Sequence, residues 1–132
     1  MNPDIPHDVA LGRVQRALEM FNHPVFKSAF GDIEGVDMLS IAVDRMTDAL
    51  AALAGCPRTE DTTLESVMAA LSPGNTLDPQ TNKCLLHVRE GMKQATYGGV
   101  SETQISELDR ARIDLKTRLQ ALVDAQNSRG NG

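Results

Sequence analysis

The residues that could do chemistry in this 132-residue chain meet in the stretch CLLHVREGM, where Cys84 and His87 lie three positions apart. On a helix such residues are neighbours, so a thiol and an imidazole would share one face. A zinc site needs further ligands, for which Cys56 is one candidate. A cysteine nucleophile needs an oriented histidine base, and no orienting group is marked in the sequence. We interpret Cys84 as a small core residue beside His87, and a metal- or thiol-dependent protein using Cys84, His87 and Cys56 is the alternative.

Acidic side chains form the next candidate group, since Asp44 and Asp48 lie four residues apart and Asp37 lies one heptad before Asp44. Carboxylates facing the interior of a helical bundle can hold metal ions. These three lie opposite the apolar stripe of their segment, and no Glu-x-x-His motif accompanies them. We interpret them as a solvated acidic face.

Charge is unevenly distributed along the chain, whose net charge is −5. Residues 31–80 carry nine acids and two bases, whereas residues 81–132 carry six acids and eight bases. The basic last third could contact nucleic acid, and a nucleic-acid-binding regulator is the second alternative. Against it, acids are mixed among the bases, no aromatic residues interleave them, and the net charge opposes polyanion binding. We expect the acidic second segment to face the basic last helix, within one chain or across a dimer.

Composition and length predict one domain over residues 1–132, with frayed tails at about 1–6 and 127–132. The start MNPDIPHDVA lacks the basic and apolar regions of a signal peptide. The apolar run ALAALAGC at 49–56 is shorter than the roughly 20 residues that a membrane span needs. Two cysteines without such signals fit a reducing compartment. We therefore expect a cytoplasmic protein that contacts no membrane and carries no cofactor.

Apolar residues recur at helical spacing along nearly the whole chain. The pattern is strongest in the second segment, which Gly55 and Pro57 end. A first helix should end near His23, before Pro24, and a connector over 25–35 contains two phenylalanines. The second segment's stripe steps by three and four through Val36, Leu39, Val43, Met46, Leu50 and Leu53.

Capping signals define the remaining helices. Thr62 and Glu65 have the spacing of a capping box before a short third helix. Asp78 before Pro79 is a favourable start for the fourth helix, and Ser101 is the expected N-cap of the fifth. The sequence thus predicts an all-α fold, an antiparallel helical bundle of four main helices plus one short helix.

Five residues are the predicted interaction contacts: Met38, Ile41, Arg112, Leu115 and Leu119. The first two lie away from the main stripe of their helix and would form an exposed apolar patch. Arg112 interrupts the stripe of the last helix, either as a register-fixing charge on the seam or, as we prefer, at the rim with its head in water. With no credible catalytic group, the pattern favours a non-enzymatic module, a small adaptor, chaperone-like or regulatory bundle. Its partner would be a second copy, giving a homodimer, or another protein.

Overall fold

The computed structural model of the chain describes residues 6–22, 33–96 and 102–131. Every regular element within these ranges is helical, and no strand occurs in them, which confirms the predicted all-α class. A 3-10 turn lies at Pro73–Asn75. The α-helices are α1 (His7–Met20), α2 (Ile33–Ala54), α3 (Leu64–Ala70), α4 (Pro79–Thr96) and α5 (Glu102–Asn131).

Helix α2 carries the predicted apolar stripe into the core. Leu39, Met46 and Leu50 are buried, while Val43 and Leu53 are half-buried against the core. The helix begins at Ile33, before the expected start at Val36. It ends as predicted at Gly55, whose positive φ of 72° allows the backbone N–H groups of residues 55 and 56 to bond back to the carbonyls of residues 52 and 51.

The short helix α3 begins one residue later than the sequence suggests. Thr63, not Thr62, is the N-cap, and its Oγ1 accepts a hydrogen bond from the Ser66 N–H at 3.1 Å. The Ser66 hydroxyl oxygen in turn accepts from the Thr63 N–H, which completes a reciprocal capping box. Thr62 is occupied elsewhere, because its hydroxyl oxygen accepts from the Thr59 N–H at 2.9 Å and so closes the preceding turn.

The fourth helix starts as predicted. The carboxylate of Asp78 accepts hydrogen bonds from the hydroxyl and the backbone N–H of Thr81 at 2.6 and 3.2 Å. These bonds favour the charged form and hold the pKa of Asp78 below its usual value. Pro79 follows at the first helical position, where its missing N–H leaves no intrahelical bond unmade.

Helix α5 extends to Asn131, so residues 127–131 are helical where a frayed tail was expected. Gln126, near this end, is buried and its side-chain amide donates to the carbonyl of Leu71 at 3.0 Å. Once this hydrogen bond holds the helix in place, extending it is favourable. Each added residue makes a backbone hydrogen bond and does not bear the cost of nucleating a new helix. The expected connector phenylalanines Phe26 and Phe30, and the N-cap Ser101, lie outside the described residues.

Packing groups the helices in pairs. Helix α1 packs mainly on α2 and α4 mainly on α5, while α2–α4 and α1–α5 contacts join the pairs and α3 packs on α2. One continuous core runs between them. Its fully buried large side chains are Val14, Phe21, Leu39, Met46, Leu50, Met68, Leu115, Leu119 and Val123.

The tight contact between α4 and α5 depends on Gly91, where a Cβ atom would lie 2.8 Å from Leu108 Cδ1. Gly12 is the matched control, because a Cβ there would meet nothing within 4 Å. We expect Gly91→Val to lower the free energy of unfolding by about 1–3 kcal/mol through overpacking. Gly12→Val should change it by less than about 0.5 kcal/mol, since valine is the better helix former. Urea denaturation measures both, and equal midpoints would contradict a close approach at Gly91.

Candidate interaction surface

Cys84 and His87 lie on one side of α4 as predicted, but in different environments. Cys84 is 4 % exposed and its Sγ donates to the carbonyl of Ala111 on α5 at 3.5 Å. His87 is exposed to solvent. Cys56 is an exposed free thiol just beyond the end of α2, and Cys84 is a free thiol as well. Burial against α5 therefore accounts for Cys84 as a core residue.

A groove of about 710 Å³ runs between α4 and α5 past Cys84 and His87. Its walls include the acids Glu90, Glu107 and Asp114. In the described ranges, no three His, Cys, Asp or Glu side chains are grouped in a way that could hold a metal ion. Burial, together with the nearby negative charge of Asp114, raises the pKa of Cys84 to about 12. The thiol in this groove is thus protonated at neutral pH and a poor nucleophile.

Arg112 corrects the expectation of a rim arginine with its head in water. Its side chain is 8 % exposed. Its Nε donates to Asp109 Oδ1 at 2.8 Å, and its Nη1 donates to the carbonyl of Phe21, the C-cap residue of α1. The physical reason is the unsatisfied carbonyl at the end of α1, which offers a buried guanidinium an acceptor. Arg112 therefore ties α1 to α5 within the chain.

Leu115 and Leu119, the other predicted contacts on α5, are fully buried in the chain's own core. They lie on the stripe that α5 directs inward, together with Leu108 and Val123. A side chain with 0 % exposure cannot contact a partner in this fold, so neither residue belongs to a surface. Apolar spacing alone could not separate a core stripe from a contact stripe, because both have the same period.

The acidic face of α2 pairs with a loop residue. Both Asp44 and Asp48 accept hydrogen bonds from Arg58, each at 2.9 Å. Within the chain, Asp44 and Asp48 thus pair locally with Arg58 and not with the basic last helix, while pairing of the acidic segment across a dimer stays a prediction. Exposed pairs of this kind contribute about 0–1 kcal/mol each.

Three of the eight basic residues of the last third are paired or buried within the chain. Arg89 pairs with Glu65 of α3, and Arg118 pairs with Asp114 of its own helix at 3.2 Å. Arg112 is buried. A continuous free basic stripe, the electrostatic mark of a nucleic-acid interface, therefore does not form from these three arginines.

Met38 and Ile41 remain at the surface of α2. Ile41 is 43 % exposed, while Met38 is half-buried. Arg45 lies one turn after Ile41 on the same face, because residues four apart on a helix are neighbours. Single exposed apolar side chains are common on proteins, and among the described side chains Val9, Leu86 and Ile113 are exposed as well. What distinguishes Ile41 is that Arg45, one turn further along α2, lines a groove.

That groove, of about 480 Å³, lies between α1 and α2 and is lined by three arginines, Arg13, Arg16 and Arg45. Ala17, Met20 and Ala49 provide its apolar lining. Among the side chains that the structure describes, none of the three arginines makes an ion pair. Its one acid, Asp48, is already bound by Arg58. The groove therefore has a local excess of positive charge on an acidic protein.

We use the name α1–α2 face for the surface formed by Arg13, Arg16, Met38, Ile41 and Arg45. Sequence reasoning found its two apolar members and missed the three basic ones. The available signal was small: Arg45 is one of only two bases in residues 31–80, and Arg13 and Arg16 share a helical face at i, i+3. Only the packing of α1 on α2 brings them together.

Comparison of the chain with protein-family models, with curated proteins and with solved structures finds no match. In the described residues, no helix has both the length and the apolar character that crossing a lipid bilayer requires. The proposed function therefore rests on the geometry of the chain itself.

Thiol accessibility can be tested by alkylation with iodoacetamide. At pH 8, four units below a pKa of about 12, about one Cys84 thiol in ten thousand is ionised, and only the thiolate reacts. We expect one label per chain, on Cys56, and two labels in denaturant, as measured by intact mass. Cys56→Ser is the control and should take up no label while folded. Rapid labelling of Cys84 in the folded protein would instead favour the thiol-dependent alternative.

The buried guanidinium can be tested by Arg112→Ala. Its removal takes away the donor to the Phe21 carbonyl and the guanidinium that pairs with Asp109. We expect the free energy of unfolding to fall by about 3 kcal/mol, measured by urea denaturation. Arg110→Ala, two residues away and exposed, should change it by less than about 0.5 kcal/mol. A loss no larger than that of the control would contradict a structural role.

Proposed function

We propose that the chain is a non-enzymatic protein–protein interaction module that self-associates through the α1–α2 face. In this proposal the four long helices form an antiparallel bundle, and the face lies on its outside. The observation that carries the proposal is the 43 % exposed Ile41, one turn from a groove whose three arginines make no ion pair among the described side chains. Apolar contacts at the centre and charges around them are the usual composition of a protein interface.

The two kinds of residue contribute differently. Covering Ile41 removes apolar area from water, at roughly 25 cal/mol per Å². Met38 is unbranched and half-buried, so its side chain can adapt to the shape of a partner. Arginine is enriched at interfaces because its planar guanidinium binds carboxylates with two parallel hydrogen bonds. An exposed acid of the second copy beside its own face, such as Asp37, would therefore fit these arginines best.

Two candidate chemical groups are engaged within the fold. Cys84 is buried and protonated, and Arg112 is bound to Asp109 and the end of α1. Both features support the non-enzymatic proposal over the thiol-dependent alternative. The two free thiols also fit the reducing conditions of the cytoplasm, where we place the protein.

Solution mass tests the proposal directly. By light scattering we expect the parent protein to be a dimer. Met38→Lys/Ile41→Lys should be a monomer with an unchanged circular dichroism spectrum, because two added charges must be desolvated in the interface. Leu86→Lys/Ile113→Lys changes two exposed apolar residues outside the face and should remain a dimer.

A monomeric parent over the accessible concentration range would contradict self-association. An unfolded Met38→Lys/Ile41→Lys variant would place these side chains in the core and contradict the surface. If the Leu86→Lys/Ile113→Lys control dissociated while Met38→Lys/Ile41→Lys stayed dimeric, the interface would lie on another face.

A further inference from the structure

We infer that the second copy lies antiparallel along α2, with Ile41 at the two-fold axis and Asp37 of each copy paired with Arg45 of the other. This inference rests on the proposed self-association and specifies its register and its charges. The exposed residues of α2 are regularly spaced. Asp37, Ile41 and Arg45 are four residues apart in turn and form one exposed ridge on the helix.

The ridge is symmetric in position and opposite in charge about Ile41. In an antiparallel helix pair with two-fold symmetry, a residue n positions before the centre faces the residue n positions after it in the other copy. Asp37 and Arg45 are each four residues, about 6 Å along the helix, from Ile41. The symmetry therefore brings each acid opposite the other copy's base and forms the pair twice.

A parallel arrangement of the same ridge is disfavoured by charge. In register, it would set Arg45 against Arg45 and Asp37 against Asp37 of the two copies. Like charges brought together at an interface cost several kcal/mol. Of the parallel and antiparallel pairings of α2 with its copy, charge complementarity therefore favours the antiparallel one.

Both members of the pair are available for a partner. Within the described side chains neither Asp37 nor Arg45 makes an ion pair, whereas the neighbouring acids Asp44 and Asp48 are bound by Arg58. Both residues are exposed. An acidic side chain from the second copy would also enter the field of Arg13 and Arg16, which share the groove with Arg45. The groove thus has an occupant supplied by the chain itself.

Helix α1 contributes the remaining area. A specific interface generally buries at least about 1,000 Å² in total, which is more than the exposed ridge of α2 offers alone. Arg13, Arg16 and the half-buried Met20 lie on the α1 side of the groove. Their side chains flank Arg45, so they would contact the N-terminal part of α2 in the other copy.

Charge reversal and rescue test the register. We expect Asp37→Arg and Arg45→Asp each to weaken the dimer, raising its dissociation constant by about 10- to 100-fold, because each change turns two attractive pairs into repulsive ones. The double variant Asp37→Arg/Arg45→Asp restores opposite charges and should return the dissociation constant to within about threefold of the parent. Sedimentation equilibrium at low and high salt measures all of these constants, and the losses should shrink at high salt.

The control is Glu107→Arg/Arg110→Asp with its two single variants, on the exposed surface of α5. It makes the same changes of charge outside the α1–α2 face and should leave the dissociation constant unchanged. Two results would overturn the register while leaving self-association intact. In one, the α5 control variants weaken the dimer as much as the Asp37 and Arg45 variants do. In the other, Asp37→Arg/Arg45→Asp dissociates as readily as its two single variants. A monomeric parent would overturn both.

Discussion

The wide apolar surface of α2 is the constraint from which the rest of the fold follows. Residues of α2 as far apart around its axis as Leu39, Ala42 and Ala51 are buried, so one neighbouring helix cannot cover them. Helices α1, α3 and α4 all contact α2, and α5 completes the core from the far side through α1 and α4. Among residues 37–54 of α2, whose side chains the structure describes, the acids, Ile41 and Arg45 lie on the side left to solvent. Self-association through this side would complete the enclosure of the helix.

Local rules in the sequence were enough to predict the helices of the described residues, although the start of α2 and the end of α5 lie beyond their expected bounds. Apolar spacing predicted α2 and its end at Gly55, and side-chain chemistry predicted the Asp78 cap, because both depend on residues within one or two turns. The cap of α3 was misplaced by one residue, since Thr62 and Thr63 are chemically equivalent and only the turn closed by Thr59 decides between them. The antiparallel order of the helices and the dimer stay predictions.

The candidate surface was harder to predict than the fold because its parts come from two helices. Arg13 and Arg45 are 32 residues apart in the sequence, and nothing local indicates that they line one groove. The burial of Arg112 was also unpredictable from local sequence. Its partner is the carbonyl of Phe21, a backbone atom that no residue type reveals, so a helical pattern indicated a surface arginine where tertiary structure created a buried one.

The difference in length between α1 and α5 divides the structure into two ends. With 14 residues α1 rises about 21 Å, whereas the 30 residues of α5 rise about 45 Å. Helix α1 can therefore support less than half of α5, and Arg112 fixes that half. The distal half is held by Gln126, which binds the carbonyl of Leu71 directly after α3. The last turns of α5 consequently depend on this hydrogen bond, and we expect them to loosen before the end of the helix that Arg112 joins to α1.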